Sequence, residues 1–475
     1  MNRSEPPSGE INPPSDPDAA GGAAKRTTGA SVLRGSFWNV ASFALPQFYL
    51  LVMSVVAARF LGPHDMGRQS FIAFAALSVM GLFGGTLGST LTRFVGEALG
   101  GDRPAAVRGL VGWARRLGLL AAMLGGAGVA AVALLGGEPQ AAWILAGLGC
   151  SLGIMQSVPN AVLTGAQNWR QASTITLVTG TIAVPSTIAV LAAGGGIVGM
   201  FAVEAVIIGA NFAWAAILAR RNLRELSPRP ERDPALQRRA AVYASWTLLG
   251  IALSVVVYKR SEFLFLKHYA SDADIAIYSI AFASVYAVTV LSESVTGVLL
   301  PAFATLFGGG ADERIRTGFD RAQRLLVMFS MPLAAAAIAL GPAAIALVYG
   351  SDYSDTGPVL QVMAVGIPLL ALMNLSSSFL LGLGKIKPLL IIDAFAAAVN
   401  VGLAFLLIPP FHAVGAALSN LLSQCAVAVA VLFYAFRTLD GVTLHPRTIV
   451  ANAAAAAAGG GAAALTVAAL GGGVA

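Results

Sequence analysis

Long apolar runs, separated by short charged or Gly/Pro-rich breaks, recur along almost the whole chain. A helix crossing the hydrocarbon of a bilayer needs about 20 mostly apolar residues at about 1.5 Å of rise each. Runs of that length fall near 36–58, 69–92, 112–135, 141–162, 172–193 and 197–219. After a polar segment at 220–239, they resume near 241–268, 274–305, 325–348, 358–382, 388–408 and 413–436. The pattern predicts an all-α, polytopic integral membrane protein with six spans on either side of the polar segment. An Ala/Gly-rich run at 448–470 is a candidate thirteenth span, although its glycines weaken a helix. The implied organisation is a tail (1–33), an N-terminal bundle (34–219), a basic linker (220–239), a C-terminal bundle (240–436) and an extension (437–475).

Composition narrows this further. The 475 residues are 57% hydrophobic and 11% charged, with mean hydropathy +0.76, whereas soluble domains carry roughly 25% charged residues. A water-soluble enzyme is excluded. Residues 1–30, rich in Pro, Ser, Gly and Asp, lack the large apolar side chains a core requires and are expected to be disordered. The run at 37–58 is too long for a signal-peptide core and is read as retained.

The 30 Lys and Arg residues sort unevenly onto the two sides of this map. Only Arg59, Arg68 and Lys267 fall on the side opposite the N-terminus, and Lys259 and Arg260 lie within the seventh span. Because Lys and Arg in short loops favour the cytoplasm, this predicts a cytoplasmic N-terminus and an even number of spans per half. Two such halves can be related by a pseudo-two-fold axis along the membrane normal. The net charge of +7 is therefore attributed to orientation, and no nucleic-acid partner is expected.

The soluble-enzyme motifs are absent or out of context. Residues 149–153 spell G-x-S-x-G, but in the middle of a span and without the strand, turn and partner His that a nucleophile elbow requires. Cys150 and Cys425 stand apart in apolar sequence, and the four histidines are dispersed, so neither a disulfide framework nor a metal site is indicated. With no phosphate-binding glycine pattern either, no cofactor is expected. The G-x-x-x-G spacings at Gly81/Gly85 and Gly84/Gly88 read as close helix packing.

Ionisable residues inside spans carry more information, since each costs roughly 2.5–3.5 kcal/mol at the centre of a membrane helix. On the seventh span, Lys259 and Glu262 are spaced to pair, which leaves Arg260 about 200° away as a cation for an anionic ligand. The other reading is that all three snorkel to the headgroups. Glu293, alone in the eighth span, suggests with Glu262 a role in coupling to a cation or proton. Glu204 and Asn211 share a face of the sixth span suited to an interhelical hydrogen bond. Polar residues recur at helical spacing on the first span (Ser36, Asn39, Gln47) and on the second (Ser78, Thr86, Ser89, Arg93). These stripes either bond to one another or line a hydrophilic cavity flanked by Arg34 and Arg93.

Several stretches resemble the polysaccharide flippase branch of the multidrug/oligosaccharidyl-lipid/polysaccharide (MOP) exporter superfamily, over residues 34–436. The most specific are Gly35-Ser36-Phe37-Trp38-Asn39 and Ala57-Ala58-Arg59-Phe60-Leu61-Gly62-Pro63-His64-Asp65-Met66-Gly67. Tyr349-Gly350-Ser351-Asp352-Tyr353, Gly382-Leu383-Gly384-Lys385, Asn400, Ile408-Pro409-Pro410 and Gly415-Ala416-Ala417 extend the likeness. It implies alternating-access transport of a polyprenyl-diphosphate-linked oligosaccharide across the bacterial cytoplasmic membrane, with H+ or Na+ as counter-ion. It also implies a cavity lined chiefly by the first, second, seventh and eighth spans. The candidate cavity residues are then Arg34, Asn39, Gln47, Arg93, Lys259 and Arg260, and the coupling candidates Glu262 and Glu293. Two alternatives stand beside this reading: a cation-coupled multidrug exporter, disfavoured by a basic cavity, and a membrane-embedded polymerase or acyltransferase, disfavoured by short outer loops.

Overall fold

The computed structural model describes residues 29–101, 103–226, 230–258, 261–308, 312–438 and 446–471. All of the regular structure in them is helical; most expected spans fall on one helix, but the span expected at 241–268 is divided between two helices, and so is that at 358–382. The N-terminal elements are α1 (Gly29–Met80), α2 (Thr86–Gly100), α3 (Pro104–Ala131), α4 (Gln140–Gly165), α5 (Trp169–Ala192) and α6 (Gly196–Leu226). They are followed by α7 (Pro234–Tyr258), α8 (Glu262–Tyr269), α9 (Asp272–Gly308), α10 (Asp312–Tyr349), α11 (Thr356–Ala364), α12 (Ile367–Gly382), α13 (Ile386–Thr438) and α14 (Pro446–Gly471).

Two of these elements are too long to be single spans. At about 1.5 Å per residue, the 52 residues of α1 and the 53 of α13 would extend more than twice the thickness of a hydrocarbon core of about 30 Å. Each breaks once instead. In α1 the break is Gly62, whose φ of 72° a glycine adopts without steric cost. In α13 it is His412, just after Pro409 and Pro410 have removed two backbone donors. Eight of the described helices are long and apolar enough to cross a membrane, or nine if the bent pair α11–α12 counts as one.

The second span is α1 after Gly62 continued by α2, joined by a π-helical turn over Gly81–Gly85. Of the G-x-x-x-G glycines, Gly84 lies against Ile154 of α4 and Gly85 against Ile251 of α7, whereas Gly81 has no neighbour within 4 Å of where a Cβ would stand, so the expected close packing holds for only part of the motif. The segment at 448–470 is helical as α14, which packs along α10 with Gly460 against Ala335.

The largest buried cluster joins the chain's two halves at one end. Phe74 of α1 meets Phe263 of α8 at 5.2 Å between ring centroids, Phe263 meets Tyr278 of α9 at 5.7 Å, and Tyr349 and Tyr353 pack into the same cluster. At the opposite end α7 leans on α2 and α3. Asp233 caps α7 by accepting a hydrogen bond from the Leu236 amide at 2.9 Å, and it pairs with Arg103 at 3.1 Å. Arg239 pairs with Glu97 at 2.9 Å.

Candidate functional site: a central cavity and a buried carboxylate

A cavity of about 1200 Å3 opens between the helices. One end is lined by Phe282, Val285 and Met363, members of the buried cluster just described. Its other end carries Arg93 from α2, Lys385 from the α12–α13 turn and Lys387 from the first turn of α13, with the half-buried Asp393 nearby. Between them, α7 contributes Tyr243, Trp246 and Thr247, α9 contributes Tyr286 and Thr289, and α12 contributes Asn374 and Ser377. Drug-sized ligands occupy pockets of roughly 300–1000 Å3, so this volume suits a larger cargo.

Arg93, from the polar stripe of the second span, lines the cavity, and its guanidinium lies 4.4 Å from the ring centroid of Tyr243. This cation–π contact holds the charge in place while leaving its donors exposed. The rest of that stripe does not reach the cavity: Thr86 is buried and donates its hydroxyl back to the Leu82 carbonyl. The expected lining by the first, second, seventh and eighth spans therefore needs correction. Among the described residues, the second span supplies only Arg93, and α12 and α13 supply as much of the wall as α7 and α9. The bend between α11 and α12 and the glycine turn before α13 swing these helices into the cleft, and neither bend is visible in hydrophobic periodicity. The side chains of Arg34, Asn39, Gln47 and Glu293, and the whole of Lys259 and Arg260, lie outside the described residues.

Glu262, the first residue of α8, is fully buried. Its Oε1 accepts hydrogen bonds from Asn400 Nδ2 at 2.9 Å and Asn420 Nδ2 at 3.0 Å, both on α13. Asn400 also donates to Ser423 Oγ at 3.0 Å and accepts from Ser261 Oγ at 3.1 Å, and Gln424 donates to Asn420 Oδ1 at 2.7 Å. Oε2 has no hydrogen-bond partner among the described residues. Since Asn420 and Gln424 also line the cavity, the carboxylate sits one hydrogen bond from its wall. A charged carboxylate this deep needs compensation, which two amide donors on one oxygen supply only in part. The sequence pointed to Glu262, but its amide partners lie about 140 and 160 residues away and nothing local marks them.

The sixth span divides its two polar residues. Asn211 Oδ1 accepts from Thr179 Oγ1 of α5 at 2.8 Å, the expected interhelical bond, whereas Glu204 faces a separate small crevice among Leu77, Met80 and Cys150. Among the described residues, no group of three or more His, Cys, Asp or Glu side chains could hold a metal ion.

A bundle of membrane-length helices around a large, partly polar cavity defines the class: a multi-pass membrane protein with a transporter fold. The particular family follows from the sequence, since the family described as "Polysaccharide biosynthesis protein" matches residues 113–358, just over half of the chain. The chain belongs to that family, and its fold is similar to that of solved transporters, among them one of the MOP superfamily. It is similar to an inward-facing multidrug resistance MATE family transporter of that superfamily, at 13% identity and TM-score 0.70, over 83% of this chain and 94% of that one. The lipid II flippase MurJ in an inward closed conformation matches at 14% identity and TM-score 0.69, over 89% and 90%. The Vibrio cholerae MATE transporter VcmN in its bent form matches at 16% identity and TM-score 0.59, over 87% and 99%. At these identities the likeness concerns the fold. Among curated protein sequences no match is found.

Proposed function

We propose that the protein is a flippase that moves a polyprenyl-diphosphate-linked oligosaccharide from the cytoplasmic to the outer leaflet of the bacterial cytoplasmic membrane. The observation that carries this reading is the cavity: its size, its polar and aromatic walls, and the basic residues Arg93, Lys385 and Lys387 at one end. A glycan head group is too polar to cross hydrocarbon unaided, its diphosphate calls for cations, and its polyprenyl chain can stay in lipid. The excess of Lys and Arg at the basic end orients that end to the cytoplasm, and the MurJ-like fold and the polysaccharide family agree with such a cargo. In this reading the bundles at 34–219 and 240–436 rock about the cavity, joined by the linker at 220–239. Arg34, Asn39, Gln47, Lys259 and Arg260 extend the polar path.

Glu262 is the coupling site. One carboxylate among amide and hydroxyl groups suits a proton or a hard monovalent cation such as Na+, and its occupancy removes an uncompensated charge from the protein interior. Glu293 is the second coupling candidate.

The test is deletion of the gene in its host. Lipid-linked oligosaccharide should accumulate in the inner leaflet while surface polysaccharide disappears, and the full chain should restore both. Normal polysaccharide export combined with new drug sensitivity would transfer the assignment to a multidrug exporter.

A further inference from the structure

The cavity wall has two chemically distinct ends, and only the basic one is explained by a diphosphate. Farther in, Trp246 of α7 lines the cavity and is 61% exposed, so part of its ring is open. Across α12, Asn374 and Ser377 are three residues apart and so share a helix face, and both line the same space. Neither side chain makes a hydrogen bond among the described residues. Three other polar residues of the wall bond within the protein: Thr247 donates to the Tyr243 carbonyl at 2.9 Å, Thr289 to the Tyr286 carbonyl at 2.9 Å, and Gln424 to Asn420 Oδ1. Among the described residues the wall thus holds a partly open aromatic face and open hydrogen-bonding groups that include Asn374 and Ser377.

A pyranose ring presents this same pair of surfaces. Its axial C–H bonds form an apolar face that stacks on an electron-rich ring, and its equatorial hydroxyls point outward as donors and acceptors. An amide side chain offers donors and an acceptor together, as hydroxyl pairs require, and an indole supplies a broad rigid surface at little entropic cost. We propose that Trp246, Asn374 and Ser377 form a sugar-binding subsite, with the glycan stacked on Trp246 and hydrogen-bonded to Asn374 and Ser377, apart from the anion-binding end at Arg93, Lys385 and Lys387. This rests on the flippase reading and adds where the glycan is read. The subsite selects for the presence of a sugar ring on the diphosphate, so that the bare carrier lipid is held less well than the loaded one.

The experiment compares two probes on the full chain in lipid nanodiscs. One is bare polyprenyl diphosphate; the other is the lipid-linked glycan pool extracted from a strain lacking the protein. The wild type should prefer the glycan-bearing lipid by about tenfold, the order of one stacked ring with its hydrogen bonds. Trp246→Ala and the double substitution Asn374→Ala/Ser377→Ala should each bring the ratio of the two affinities towards one, while Trp246→Phe keeps part of it. A ratio unchanged in Trp246→Ala, even with both affinities lowered, overturns the subsite, as does a wild type that binds both probes equally. Both of those results leave the flippase reading standing. A wild type that binds neither probe overturns the flippase reading itself, and the subsite with it.

Discussion

Arg59 donates its Nε–H to the backbone carbonyl of Val348 at 2.8 Å and a second N–H to the carbonyl of Leu347. These are among the last carbonyls of α10, left without partners inside their own helix, and a guanidinium there also meets the negative end of the helix dipole. Arg59 belongs to the first span and α10 to the C-terminal half, so the contact joins the two halves at the end opposite the basic mouth. Next to it, Tyr353 donates its hydroxyl to the Ala58 carbonyl at 3.1 Å. Asp272 receives Lys267 at 2.6 Å and Arg68 at 3.5 Å, drawing the second span onto the start of α9. The most distinctive stretch of the sequence, 57–67, thus supplies a clasp that joins the two halves at this end.

Arg59→Ala should weaken that clasp. A cysteine placed at Thr289 in the cavity, with Cys150 and Cys425 replaced, should react with an impermeant maleimide added outside about tenfold faster than in the Arg59-containing parent. That factor corresponds to the lower end of the roughly 1.5–3 kcal/mol typical of charge-assisted hydrogen bonds, because Arg59 is exposed. An unchanged labelling rate would mean that closure does not depend on this contact.

Gly67 permits the close approach at the same interface. A methyl group there would overlap the Asp272 carbonyl oxygen, a backbone atom that cannot swing aside. Gly67→Ala should therefore separate the second span from α9, at a cost of about 1–3 kcal/mol for overpacking. Labelling from outside should rise as in Arg59→Ala, with a lowered Tm in detergent. A wild-type Tm and labelling rate together would show that the helices part without penalty.

Glu262→Gln keeps the size of the side chain and an oxygen for Asn400 and Asn420 but removes the charge. Transport in proteoliposomes should then lose its response to an imposed H+ or Na+ gradient while the protein still folds. Glu262→Ala should in addition destabilise it, since each amide left buried without its acceptor costs about 1–3 kcal/mol. Gradient-dependent transport by Glu262→Gln would move the coupling elsewhere, with Glu293→Gln the next variant to measure.

Arg93→Lys preserves the charge but not the flat contact with Tyr243, because an ammonium group does not stack as a guanidinium does. It should retain partial export, whereas Arg93→Ala and the pair Lys385→Ala/Lys387→Ala should each reduce it about tenfold or more, the loss expected when a charged hydrogen bond to phosphate is removed. Full export by both would show that the basic end does not hold the diphosphate. The same substitutions should flatten the dependence of lipid binding on ionic strength.

The class of the protein and the order of its helices were determined by the sequence alone, because burying apolar runs in a bilayer is a local requirement that each run of about 20 residues meets by itself. Arg93 was legible for the same reason: helical spacing fixes which face a residue shares with its neighbours on one helix. Glu262 could be singled out as costly, but its partners could not, since Asn400 and Asn420 reach it only after α13 has folded back at His412 and packed beside α8. Trp246, Asn374 and Ser377 read as ordinary span residues until the packing of α7 and the bent α12 brings them to one cavity. The clasp at Arg59 depends on where a distant helix ends. Such contacts are set by how rigid helices lean and break against one another, and that is decided only in the assembled tertiary structure.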